Sequence, residues 1–276
     1  MLRKLIILTL VAVAAATLTA DAQVRRPLRL TTADDVGISA VYYPVTSASA
    51  PAVLLLHGFA RTRDEWGTFP STLQRNGIAV LAIDFRGHGE STRRLTAAGP
   101  ELVDYHNFTP RDFQDMLLDV EAAMDWLLDQ PATDKHHIAI IGGSLGANVA
   151  LRYALFNEDL AALVLFSPGI TYKDLRTDDV MQKLGPLPLR IAVSRNDPFA
   201  FESCKRLIDI RKDAGHTTDT NELIICTGNL HGADMLKGVK DLPTIMVDWL
   251  RQTLLGEPPA EAAVPPPPAK APASKK

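Results

Sequence analysis

The sequence is poor in cysteine. It has two in 276 residues, Cys204 and Cys226, with no metal-ligand spacing around them. That removes the case for a metal-binding framework. It is also poor in net charge, with 29 Lys and Arg against 32 Asp and Glu and a formal balance of -3. Without a basic surplus, nucleic acid is not an expected partner. No internal repeat is visible. The longest apolar run, from Leu5 to about Leu18, falls short of the roughly 20 residues a spanning helix needs. What remains is ordinary globular composition, 46% hydrophobic and 22% charged, enough for one core and one domain.

The two ends read differently from the middle. Arg3 and Lys4 precede the apolar run, and Ala20-Asp21-Ala22 follows it. This is the layout of a secretory signal peptide over residues 1–22, cleaved after Ala22. The expected location is exported, periplasmic or secreted, with membrane contact only if the segment stays uncleaved. No cysteine follows the run to accept a lipid. Cleavage removes two basic residues and one acidic, which takes the balance to -4. Export makes a Cys204–Cys226 disulfide chemically feasible, but two buried thiols fit the sequence at least as well. Residues 257–276, "EPPAEAAVPPPPAKAPASKK", hold nothing that could form a core and read as a Pro/Ala-rich disordered tail. The domain proper is 23–256.

Within it, apolar segments alternate in kind. "PLRLTT" and "ISAVYYPV" predict two strands joined at Asp34-Asp35 and paired antiparallel at one edge. Continuous apolar runs at 52–58, 78–85, 137–142, 161–166, 189–194 and 222–226 predict strands buried on both faces. Between them lie helical patterns at 62–76, from Thr109-Pro110 onward, and at 145–156, 171–183, 200–213 and 241–255. Thr109 is a good N-cap with proline at the first helical position. This alternation predicts an α/β fold: a mostly parallel sheet of about eight strands with helices on both faces. Ligands in such sheets bind at the carboxyl ends of the strands, so any chemically active residue should directly follow a strand.

Ser144 meets that condition. It follows "IAIIG" in the frame Gly142-Gly143-Ser144-Leu145-Gly146. A strand turning sharply into a helix strains the residue at the bend, and small neighbours let strand and helix approach. The helix N-terminus beneath the serine favours negative charge there. A serine hydroxyl needs a base and an acid to orient that base. Asp197 follows the strand 189–194. Asp174, Asp178 and Asp179 precede it, and Asp209, Asp213 and Asp219 belong to the next helix or its exit. Asp197 could also be a helix cap before Pro198. His231 follows the last strand, whereas His216 precedes it at the wrong end. An oxyanion needs N–H donors. One is the backbone N–H of Leu145; the other falls in "LLLHGFAR", with Phe59 as the donor and His57 shaping the loop.

With these residues the chain resembles the α/β-hydrolase superfamily over about 27–255. The matching residues are "HGF" (57–59), "DFRGHGES" (84–91), "GGSLG" (142–146), Asp197 and His231, in the family's order. The resemblance implies Ser144, Asp197 and His231 as nucleophile, acid and base, Phe59 and Leu145 as the oxyanion hole, and His88 as packing. Serine rather than aspartate at the nucleophile position points away from dehalogenases and epoxide hydrolases and toward an acyl-enzyme. Many relatives carry a large cap after the sixth core strand. Here only residues 168–188 are available, with a second flap at 92–109, nearer to dienelactone-hydrolase-like enzymes and small esterases. Trp66, Phe108 and Tyr172 could line an acyl pocket or simply pack. The expected function is an exported serine hydrolase cleaving carboxylic esters, its partner a small-molecule acyl ester, with no metal or organic cofactor. A peptidase, thioesterase or acyltransferase on the same residues stays open, as does a non-catalytic envelope binding protein.

Overall fold

The computed structural model describes residues 24–216 and 222–256. The leader at 1–22, the tail at 257–276 and Asp219 lie outside the described residues. The chain forms β1 (Arg26–Thr31), β2 (Val36–Tyr43), β3 (Ala50–Leu56), α1 (Phe69–Arg75), β4 (Ala79–Ile83), β5 (Arg93–Thr96) and β6 (Gly99–Leu102). It continues with α2 (Pro110–Gln114), α3 (Met116–Leu128), β7 (Thr133–Gly143), α4 (Leu145–Ala154), β8 (Ala162–Phe166), β9 (Thr171–Tyr172), β10 (Leu175–Arg176) and α5 (Asp178–Lys183). Last come β11 (Leu189–Ser194), α6 (Pro198–Asp213), β12 (Leu223–Cys226), α7 (Met235–Gly238) and α8 (Leu242–Leu255).

Among the described residues, ten strands join one sheet in the order β12-β11-β8-β7-β3-β4-β2-β5-β6, with β1 on β2. The pairs from β12 through β4 are parallel; β2 pairs antiparallel with β1, β4 and β5. The continuous apolar runs are explained by burial on both faces. Leu54, Leu56, Leu81, Ile83, Ile140 and Leu165 turn to one side, against helices α2 to α6. Val53, Leu55, Val80, Ala82, Ile141 and Phe166 turn to the other, against α1, α7 and α8. Alternate residues of one strand thus feed two separate cores.

Three expectations needed revision. The helix foreseen at 62–76 is a 3-10 turn at Arg63–Trp66 followed by α1, broken at Gly67, whose φ is +54°. The helical region at 171–183 opens as the β9–β10 hairpin, turned by Lys173 and Asp174 at positive φ, before α5 begins. The flap at 92–109 is largely the β5–β6 hairpin, which extends the sheet through β2 and raises the strand count from eight to ten. The other predicted elements form, including the Thr109 cap: Asp112 Oδ2 accepts from Thr109 N at 2.8 Å. Cys204 and Cys226 are free and buried, and burial pushes both thiols up in pKa.

A charge cluster ties the β1–β2 turn, and through Arg94 on β5 the β5–β6 hairpin, to α3. Arg86 Nε donates to Asp119 Oδ1 at 2.8 Å, and its two terminal nitrogens donate to Asp34, each at 2.9 Å. Asp119 also accepts the Arg86 backbone N–H at 2.9 Å. Without Asp119, Arg86 keeps Asp34 but its Nε and its backbone N–H lose their buried acceptor. Asp119→Ala is therefore expected to cost about 1.5–3 kcal/mol, read as a lower midpoint in urea unfolding; a loss below about 1 kcal/mol would show that the pair is not structural.

Candidate active site

Residues 57–59 follow β3, 84–91 follow β4, Ser144 follows β7, Ser167 follows β8, Asp197 follows β11 and His231 follows β12. All these strands are parallel, so the residues collect at one edge of the sheet.

Ser144 sits alone between β7 and α4 with φ 51° and ψ −113°, a conformation that costs energy for any residue with a Cβ. Its N–H donates to Phe166 O at 2.8 Å, and its carbonyl accepts from Ala147 N at 3.0 Å. The flanking glycines are needed for clearance. A Cβ on Gly146 would lie 2.2 Å from Leu56 O, and one on Gly142 would lie 2.3 Å from Gly146 O. No side chain fits at either position while β3, β7 and α4 keep this approach.

His231 Nε2 lies 2.8 Å from Ser144 Oγ, and His231 Nδ1 lies 2.5 Å from Asp197 Oδ2. The carboxylate at Nδ1 fixes the tautomer: Nδ1–H donates, which leaves Nε2 free to accept the serine proton. His231 is exposed, while Ser144 and Asp197 are half-buried. Asp197 resolves the choice between cap and acid by serving both. Its Oδ1 accepts from Ala200 N at 3.4 Å at the start of α6, and its Oδ2 faces His231.

Gly58 lies against the serine; a Cβ there would be 3.5 Å from Ser144 Cβ. Among the described residues, neither the Phe59 nor the Leu145 backbone N–H has a hydrogen-bond acceptor. Both predicted donors are thus without an acceptor, on the residues that flank Gly58 and Ser144 in sequence. His57 and His88 hold the loops in shape. His57 is fully buried, accepts from Phe85 N at Nε2 (2.9 Å) and donates from Nδ1 to Gly58 O at 2.7 Å. Burial lowers its pKa to about 3, so it stays neutral. His88 donates to Arg86 O and stacks on Tyr105 at 4.3 Å. Asp84 receives backbone N–H groups from Arg63 and Glu90, which closes the "DFRGHGES" turn.

Three residues near the site were missed in the sequence. Ser167, directly after β8 and at φ 53°, accepts Gly232 N at 3.1 Å and so fixes the loop carrying His231. The strand-end rule applies to it equally and could have found it. Glu65 accepts Gly58 N at 2.8 Å from the next turn; nothing in the sequence marks it. Lys173 places its ammonium 4.5 Å from the Phe59 ring centre, a contact that depends on the unforeseen hairpin. Of the aromatic candidates, Trp66 is buried against Phe166 and is packing. Phe108 packs on Phe113, while Tyr172 borders Phe59 at 6.2 Å between ring centres.

Fold and site define a hydrolase-type α/β sheet with a serine elbow. The sequence profile of the α/β-hydrolase fold matches residues 51–192, and the chain belongs to that family. It is 34% identical over 144 residues to an uncharacterized protein of Mycobacterium tuberculosis, covering 52% of this chain and 45% of that one. It is 31% identical over 174 residues to dipeptidyl aminopeptidase BIII of Pseudoxanthomonas mexicana, covering 61% of this chain and 22% of that one. The chain thus spans less than half the length of these curated relatives. An esterase of Pyrococcus furiosus has the same fold, with a TM-score of 0.63 and 21% identity over 83% of this chain and 93% of that one. The chain therefore shares its fold with proteins that include an aminopeptidase and an esterase.

Proposed function

We propose that the protein is an exported serine hydrolase that cleaves carboxylic esters of small acyl groups through an acyl-enzyme. The observation that carries this reading is the unbroken chain of contacts Asp197–His231–Ser144 on a strained elbow. His231 Nε2 takes the proton of Ser144 as Oγ attacks the ester carbonyl. The resulting oxyanion accepts the N–H groups of Phe59 and Leu145. His231 then gives the proton to the leaving alcohol, and the acyl–oxygen bond to that alcohol breaks. Water enters, loses a proton to His231 and releases the acid, restoring Ser144.

Support for esters comes from the short β9–β10–α5 segment between β8 and β11, where a large cap would otherwise stand. Export rests on the composition of residues 1–22. A peptidase is the second reading, favoured by the identity to an aminopeptidase. A panel of p-nitrophenyl esters of increasing chain length, beside aminoacyl p-nitroanilides and acyl thioesters, separates them. Short esters are expected to give the highest kcat/KM; faster amide turnover would overturn the ester assignment in favour of the peptidase.

A further inference from the structure

The loop that presents Phe59 N–H is held by a carboxyl group. Glu65, in the 3-10 turn Arg63–Trp66, accepts Gly58 N at its Oε1 at 2.8 Å. The same oxygen lies 3.3 Å from where a Cβ on Gly143 would be, directly beside the elbow. One half-buried carboxyl therefore touches both segments that would carry the oxyanion donors. A carboxylate here opposes the charge that catalysis creates.

We propose that Glu65 is a positioning residue for the oxyanion loop, neutral when the site works fastest, and that loss of its proton slows acylation of Ser144. This rests on the serine-hydrolase reading above. Burial is the main influence on Glu65 and pushes its pKa up to about 7, against the Gly58 N–H. The charged groups facing it are Arg61 on the oxyanion loop, Asp234 in the turn after His231 and Lys237 on α7; the β7–α4 elbow contributes none. Arg61 and Lys237 both pair with Asp234, so their charge is partly spent there. Below about pH 7 Glu65 is protonated. Above it, a negative charge stands next to the developing oxyanion and raises the barrier.

The test uses an alkyl fluorophosphonate, which needs no knowledge of the substrate. Ser144 Oγ bonds to phosphorus, fluoride leaves and His231 takes the proton. Second-order labelling rates are measured from pH 6 to 9 for wild type, Glu65→Gln and Glu65→Ala. Gln keeps the acceptor for Gly58 N and removes the charge. The ratio of the Gln variant to wild type is expected to rise from near one at pH 6 to about fivefold at pH 9. The Ala variant is expected to be slower than Gln at every pH, by about tenfold. A ratio that does not change with pH, or Gln as slow as Ala, overturns the proposal. If Glu65→Ala does not fold, the Gln ratio alone decides. Wild type that is never labelled would sink the serine-hydrolase reading itself, which is distinct from labelling with a flat ratio.

Discussion

Ser144→Ala is expected to lower kcat/KM for p-nitrophenyl butyrate by about a millionfold, the scale seen when a serine nucleophile is removed from such a triad. Ser167, one residue beyond the Phe166 carbonyl that receives Ser144 N–H, is no substitute: it is buried and its oxygen is engaged by Gly232 N. What should survive is binding and the oxyanion donors, which act weakly without a nucleophile. Alanine tolerates the elbow's positive φ no worse than serine, so the melting temperature should stay within a few degrees. Residual activity above about one per cent would place the nucleophile elsewhere.

Asp197→Asn is expected to cost about 10⁴-fold in kcat with little change in stability. The two oxygens of Asp197 face different donors: Ala200 N at the start of α6 and His231 Nδ1. An amide has one oxygen to give. Turned to the helix, it keeps the cap and presents NH₂ to His231. Nδ1 must then accept, the ring proton moves to Nε2, and Nε2 can no longer take the proton of Ser144. Asn is as good an N-cap as Asp, so unfolding by urea should shift by less than about 1 kcal/mol. A variant that loses stability but keeps most of its kcat would assign Asp197 to capping alone.

Much of this arrangement was legible in the sequence because two patterns reinforced each other. Continuous apolar runs marked strands buried on both faces, and each strand end then had one residue to examine. That logic reached Ser144, Asp197 and His231, and excluded His216 by its position before β12. It reached Phe59 and Leu145, the proposed oxyanion donors, because both lie just beyond strand ends. The β9–β10 hairpin was not legible because Lys173-Asp174 is a poor signal for a turn that needs two positive φ angles. The β5–β6 hairpin was hidden for another reason: its strands are short, exposed and polar, so they carry no apolar period. Glu65 was missed because its meaning is purely tertiary. Among the acidic residues at 64–65 nothing distinguishes the one that turns under Gly58. The helical pattern over 62–76 runs straight across Gly67, the break that makes this turn possible.

The central claim is that the bend at Gly142–Gly146 exists to hold an activated Ser144. Incubation of the native protein with a fluorophosphonate, followed by proteolysis and mass spectrometry, tests this most directly. The account predicts one stoichiometric adduct on the peptide containing Ser144, slowed strongly in Asp197→Asn and absent in Ser144→Ala. No adduct on the folded wild type, or an adduct that persists in Ser144→Ala, would contradict it.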